Sequence, residues 1–207
     1  MNPEAERLLR DAANWRMLGL LFECPDPAWR ESVASISHEV DDPEIAAAAE
    51  YALREASEGL YHSTFGPGGP APPREVSYTD SVELGYLMSE VAEYYDAFAF
   101  RPATFEAPDH VAVEVGFVAY LRMKQAFALT EGDDEGANIA AAAAKRFTGD
   151  HLARLGEPLA NALEASGIPY LVGAGRALAS RTGPCPPRRV LPDGILPVLQ
   201  ESSFSCS

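Results

Sequence analysis

Pro108-Asp-His-Val-Ala-Val-Glu-Val-Gly-Phe-Val-Ala-Tyr-Leu-Arg-Met-Lys-Gln-Ala-Phe-Ala-Leu-Thr130 is the stretch on which the fold turns. His110, Glu114, Phe117, Val118, Leu121 and Gln125 recur in it at spacings of three and four, which is one side of a helix. Proline at the first helical position sacrifices no hydrogen bond, so a helix is expected from Pro108 to about Thr130. The same period spreads outward. Leu84, Leu87, Met88, Val91, Tyr95 and Phe98 mark a helix with an acidic opposite face. Leu8, Ala12, Trp15, Leu18 and Phe22 mark another over 3–22, stopped by Pro25-Asp26-Pro27. Further helices are expected over 28–40, 43–60, 134–155 and 158–166, the last two parted near Gly156, and a final one opens at Pro169. Alanine runs at 46–49 and 140–144 favour helix and close helix–helix approach. No segment alternates at period two with β-branched residues, so the expected class is all-α, a single bundle of about eight or nine helices.

Two stretches break this pattern. Gly66-Pro-Gly-Gly-Pro-Ala-Pro-Pro73 has glycine or proline at seven of eight positions and cannot be helical. The tail after Thr182 holds five of the seventeen prolines. A helical domain over 1–182 and an irregular tail over 183–207 are therefore expected.

Composition excludes several roles. At 47% hydrophobic the 207 residues can bury a real core. The longest apolar run, 115–121, is seven residues, against the ~20 that a membrane span needs. The opening Met-Asn-Pro-Glu-Ala-Glu has no basic or apolar signal region, so no secretory signal is expected and the expected location is the cytoplasm. Sixteen Lys and Arg against 31 Asp and Glu leave a net charge of −15, which repels nucleic acid and anionic lipid. Eight acidic residues and one basic, Arg101, fall between Val76 and Leu121. That stretch reads equally as a solvated face or as a docking surface for a basic peptide.

Catalytic signatures are missing. There is no phosphate-binding glycine loop, dinucleotide fingerprint or nucleophile elbow. His110 and Glu114 could give two metal ligands, but no HExxH or CxxC supplies the others, and Cys24, Cys185 and Cys206 are scattered. Asp109-His110 has no accompanying nucleophile and also reads as a helix start with an acid near its dipole. No catalytic residue, metal or cofactor is expected.

Three blocks carry a family resemblance. Tyr61-His-Ser-Thr-Phe65-Gly-Pro-Gly, followed by Pro72-Pro-Arg-Glu-Val-Ser-Tyr78, resembles the first block of the TorD/DmsD/NarJ family of molybdoenzyme maturation chaperones. Tyr95-Asp-Ala-Phe98 and then Glu106-Ala-Pro-Asp-His110-Val-Ala-Val-Glu114-Val-Gly-Phe117 is similar to its E-x-P-D-H-x-x-x-E-x-x-F pattern. Phe147-Thr-Gly-Asp-His151-Leu matches a weaker third block. Leu155 stands where members often carry tryptophan, and the tail has no counterpart in the family pattern.

The resemblance implies a cytoplasmic chaperone, not an enzyme. Its partner would be the cofactor-free catalytic subunit of a DMSO-reductase-type molybdenum enzyme, gripped by its twin-arginine signal peptide until the molybdenum cofactor is inserted. It also implies a monomer or a domain-swapped dimer hinged at 66–73. A receptor for paired guanidinium groups beside an apolar helix needs clustered carboxylates beside an apolar groove. Glu106 and Asp109 are expected to meet the arginines, with His110 and Glu114 in the same loop and helix start. Tyr61, Phe65, Tyr95 and Phe98 are expected to form the apolar wall; Tyr95 and Phe98 also read as plain core from their helical spacing, and His110 equally as a cap or brace of the loop between helices. An all-helical adaptor for some other basic segment is the alternative. Arg188-Arg189-Val-Leu191 in the tail superficially resembles the ligand itself.

Overall fold

A computed structural model describes residues 2–79 and 84–184. Asp80, Glu83, Cys185, Cys206 and the Arg188-Arg189 pair lie outside the described residues.

Short polar side chains and prolines open most helices. Asn2 caps α1 (Pro3–Leu21), Asp26 caps α2 (Pro27–Ile36), Asp42 caps α3 (Pro43–Glu55) and Ser57 caps α4 (Glu58–Phe65). Each side-chain oxygen accepts a backbone N–H that the first turn cannot satisfy. After the glycine/proline segment come α5 (Leu84–Ala97), α6 (Val111–Glu131) and α7 (Asp134–Phe147), then α8 (Ala153–Ser166) and α9 (Pro169–Thr182). No strand occurs among the described residues, so the protein is all-α, a single helical bundle.

Three boundaries differ from the sequence reading. The helix expected over 43–60 divides at Ala56-Ser57, because the Ser57 hydroxyl accepts from Leu60 N–H at 3.3 Å and starts a new helix. Pro108 is not the first residue of α6. It lies in a turn, and His110 is the cap, its Nδ1 accepting from Ala112 N–H at 3.1 Å. No break occurs near Gly156. The chain passes from α7 to α8 through a π-helical turn, Thr148–Leu152, and α8 runs on through Pro158.

α6 forms the axis. It is apolar on nearly every side, with Val111, Val115, Phe117, Val118 and Leu121 fully buried. α1 lies antiparallel to it: Ala5 and Leu8 pack on Ala126, and Gly19 meets the other end at Ala112 and Gly116. α9 approaches α8 closely where Gly175 abuts Ala160, and α3 where Gly173 abuts Ala48. α5 is held off by large rings. Phe117 of α6 sits 4.9 Å from Tyr95, 6.1 Å from Phe98 and 4.8 Å from Phe147 of α7 (ring centroids). Arg181 ties three helices at one corner, pairing with Asp11 at 2.9 Å and Asp42 at 3.0 Å over the Trp15 ring.

Candidate functional site

The proline-rich segment folds back onto the start of α6. Glu75 N–H donates to the Asp109 carbonyl at 2.9 Å and Val111 N–H to the Pro73 carbonyl at 2.8 Å, a two-bond antiparallel bridge. Within the segment, Gly69 N–H donates to the Gly66 carbonyl at 2.8 Å. A Cβ at Gly69 would collide with the Thr64 carbonyl, so that turn requires glycine.

Beneath the bridge lies a buried polar network. Asp109 is fully buried, its Oδ1 accepting from Arg74 Nε at 2.8 Å and its Oδ2 from Val76 N–H at 3.3 Å. Glu75, also fully buried, has Oε2 3.0 Å from His151 Nδ1 and Oε1 3.9 Å from Arg154. The π turn delivers His151 to that point, its ring packed on Phe147 at 4.7 Å. Extra residues in a π turn re-aim a side chain in this way. Glu114 is fully buried beside Glu75, and burial followed by the Glu75 charge raises its pKa well above 4.5. A proton on Glu114 gives the two carboxyls one donor, which Glu75 Oε1 and both Glu114 oxygens otherwise lack.

Above the bridge, a polar chain leads to the surface. Since His110 Nδ1 accepts from the backbone, its neutral ring carries the proton on Nε2, 3.3 Å from the Tyr61 oxygen. Tyr61 O–H in turn donates to Glu106 Oε1 at 3.0 Å. Burial lowers the His110 pKa and, with the Glu106 charge, raises that of Tyr61. Glu106 is the partly exposed end, at 34%.

Glu106 belongs to two adjoining clefts. One, of about 470 Å³, is lined by Tyr61, Phe65, Gly66–Gly69, Pro72-Pro73, Arg74 and His110. The other, of about 510 Å³, brings Glu106 together with Glu23, Asp26 and Glu58 beside Cys24 and Phe105, with no lysine or arginine in its lining. Burial and then Glu58, Glu106 and Asp26 push the Cys24 thiol pKa up.

The expected site residues therefore separate. Glu106, Tyr61, Phe65 and His110 meet at the first cleft. Asp109 and Glu114 lie beneath it, wholly buried, and Arg74 already occupies Asp109. Tyr95 is buried among aromatic rings, its hydroxyl donating to the Pro108 carbonyl at 2.8 Å. Phe98 faces a different cleft, between α5 and α7. The acidic stretch 76–121 is likewise divided: Glu90 and Glu93 rim that second region, and Asp96 pairs with Arg101. Glu23, Asp26 and Glu58 were not signalled by the sequence, since they come from the end of α1, the cap of α2 and the start of α4. Glu75 was missed because it reads as a loop acid. Among the described residues no group of three His, Cys, Asp or Glu could hold a metal ion, and no helix is long and apolar enough to cross a membrane.

Comparison with known proteins bears on this arrangement. No curated protein matches the chain. Among solved structures, one described as a redox enzyme maturation protein from Archaeoglobus fulgidus is similar at 20% identity, covering 65% of this chain and 91% of its own, with a TM-score of 0.43. The nitrate reductase delta subunit family matches residues 24–160, a span that contains the first cleft, the buried network and all three sequence blocks. The chain belongs to that family, the NarJ/TorD-like group of redox enzyme maturation chaperones.

Proposed function

We propose that the protein is a dedicated, non-catalytic chaperone for the catalytic subunit of a DMSO-reductase-type molybdenum oxidoreductase. It holds the cofactor-free subunit by its twin-arginine signal peptide, in the cytoplasm, until the molybdenum cofactor is in place. The supporting observation is the pocket in which Asp26, Glu58 and Glu106 converge with Glu23, itself paired with Arg16 at 2.7 Å, and with no basic residue in the lining. Paired guanidinium groups suit such a site, because a planar fork can engage carboxylates two bonds at a time. The net charge of −15 speeds capture of a cationic segment.

In this reading the arginines meet Glu106 and its acidic neighbours. Tyr61 and His110 orient Glu106, and Phe65 supplies apolar wall. Asp109 and Glu114 act from below by fixing the loop, and Tyr95 and Phe98 hold the aromatic packing behind it. The test is titration of a labelled twin-arginine signal peptide at low and moderate salt. Expected is saturable micromolar binding, lost when both arginines become glutamine and when Glu58→Gln and Glu106→Gln are combined. Equal affinity for unrelated basic segments would instead favour an adaptor role. No binding would refute signal recognition.

A further inference from the structure

The cleft between α5 and α7 shares no lining residue with the acidic pocket or with the cleft beside it. Its volume is about 490 Å³. Tyr94 and Phe98 of α5 and Ile139 of α7 form its sides, while Ala97, Ala142 and Ala143 are too small to fill it. Ile139 is 54% exposed, so among the described residues the apolar wall is uncovered. One end of the cleft is charged. Glu90 and Glu93 rim it from α5, and Asp150 of the π turn acts on the Tyr94 hydroxyl. Arg146 also lines the cleft and hydrogen-bonds that hydroxyl. Three carboxylates therefore face one guanidinium, and the surplus is acidic.

The described chain ends within reach of this cleft. Thr182 closes α9, and its side chain takes the space that a Cβ on Gly156 of α8 would need. Gly156 follows Arg146 by ten residues along the helical path through α7, the π turn and α8, about 15 Å. Residues 183–187 include three prolines, and five residues of such composition reach about 16 Å. Next come Arg188 and Arg189, the only basic residues after Thr182, and then Val190-Leu191.

We propose that residues 188–191 of the tail dock in the α5/α7 cleft, with Arg188 and Arg189 at the Glu90 and Glu93 rim and Val190-Leu191 against Phe98 and Ile139. Reach and charge choose this occupant: the proline-rich spacer matches the distance to the acidic end, and an aliphatic pair follows where the wall turns apolar. An arginine fork engages carboxylates with more geometric selectivity than a lysine would. The docked segment clamps α5, which meets α6 and α7 through large rings, and covers apolar surface that would otherwise face water. The proposal stands apart from signal binding and leaves the acidic pocket open to a client.

Intramolecular disulfide trapping tests this in the full chain. Cys24, Cys185 and Cys206 are replaced by serine and Leu191→Cys is added. The second thiol is placed either at the cleft, by Ile139→Cys, or at the acidic pocket, by Ala103→Cys. Both positions are exposed, so neither change disturbs the core, and circular dichroism checks the fold. Under limiting diamide, closure with Ile139→Cys should be at least about tenfold faster than with Ala103→Cys, because docking raises the effective concentration of the paired thiols. Arg189→Glu should slow the first closure to the level of the second, and adding Glu93→Arg should restore it. Equal rates overturn the proposal. Faster closure with Ala103→Cys also overturns it, by placing the tail in the acidic pocket. A preference for Ile139→Cys that ignores Arg189→Glu overturns it as well, since the charged rim would then have no part in choosing the occupant.

Discussion

Glu114→Gln should make the protein more tolerant of rising pH. The Glu114 carboxyl is fully buried, and burial and the neighbouring Glu75 charge hold its pKa well above 4.5. Unfolded, it ionises near 4.5, so folding takes up one proton between that pH and the raised folded pKa. The native contribution of this group is thus complete below about 4.5 and is lost as pH rises through the folded pKa. The slope for one proton is about 1.4 kcal/mol per pH unit. Glutamine keeps a donor for Glu75 Oε1 and has no proton to lose. At this chain length 1 kcal/mol moves the melting temperature by ~2–4 °C. The Glu114→Gln melting temperature should therefore gain on the native one by about 3–5 °C for each pH unit between about 5 and the folded pKa of Glu114, above which the gain levels off. Thermal unfolding followed by circular dichroism between pH 5 and 8, native against Glu114→Gln, reads this as a difference between the two curves. Parallel curves would refute the protonated-carboxyl assignment. Glu114→Ala is the control: it also has no proton to lose but leaves the buried Glu75 oxygen without a donor, so it should lie about 3 kcal/mol below Glu114→Gln at every pH in the range.

Arg74→Ala strips the partner from a fully buried Asp109 and should destabilise by about 3 kcal/mol, measured by urea denaturation; Arg74→Lys rescues part of it, having no planar fork. Ala99→Gly should stabilise by about 1 kcal/mol, because Ala99 ends α5 at φ 53° in a Schellman turn, where glycine carries no Cβ penalty. An unchanged melting temperature would contradict this. Cys24 should alkylate slowly with iodoacetamide at neutral pH, since burial and Glu58, Glu106 and Asp26 raise its pKa. Combining Glu58→Gln with Glu106→Gln should speed the reaction, read at Cys24 by peptide mass mapping, and an unaltered rate would detach the thiol from the acidic pocket.

The helices were legible because proline and apolar period act locally. Pro3, Pro27, Pro43 and Pro169 each open a helix, as a residue without an N–H can. Pro108 obeys a different control. There the Asp109 side chain turns inward to Arg74 and the His110 ring caps the helix, so tertiary partners move the start by three residues. Gly156 suggests a break, yet its lack of a side chain serves the approach of the Thr182 side chain from α9, and the irregularity sits earlier, at His151. The site was half legible for a related reason. Spacing places Glu106, Asp109, His110 and Glu114 in one short run but does not say which face water. The acids that surround Glu106 come from three distant helix ends, and only the closed fold collects them.

One motif thus divides between two environments. Glu106 looks outward, while Asp109 and Glu114 look inward, and His110 joins the two through Tyr61. The glycine/proline segment has little backbone pairing of its own, so its position follows from what it is fastened to. It is fastened to the start of α6 by the bridge and by Arg74 on Asp109, and to the π turn and α8 by Glu75 on His151 and Arg154. Four chain segments converge there, and loss of any one charge leaves another buried without its partner. The cleft between Tyr61 and Glu106 is therefore shaped by groups that a client need never touch. A change at Asp109 or Glu114 that abolished peptide binding would consequently identify a support, unless the loop were shown to keep its place, whereas a loss at Glu106 with the melting temperature unchanged would identify a contact.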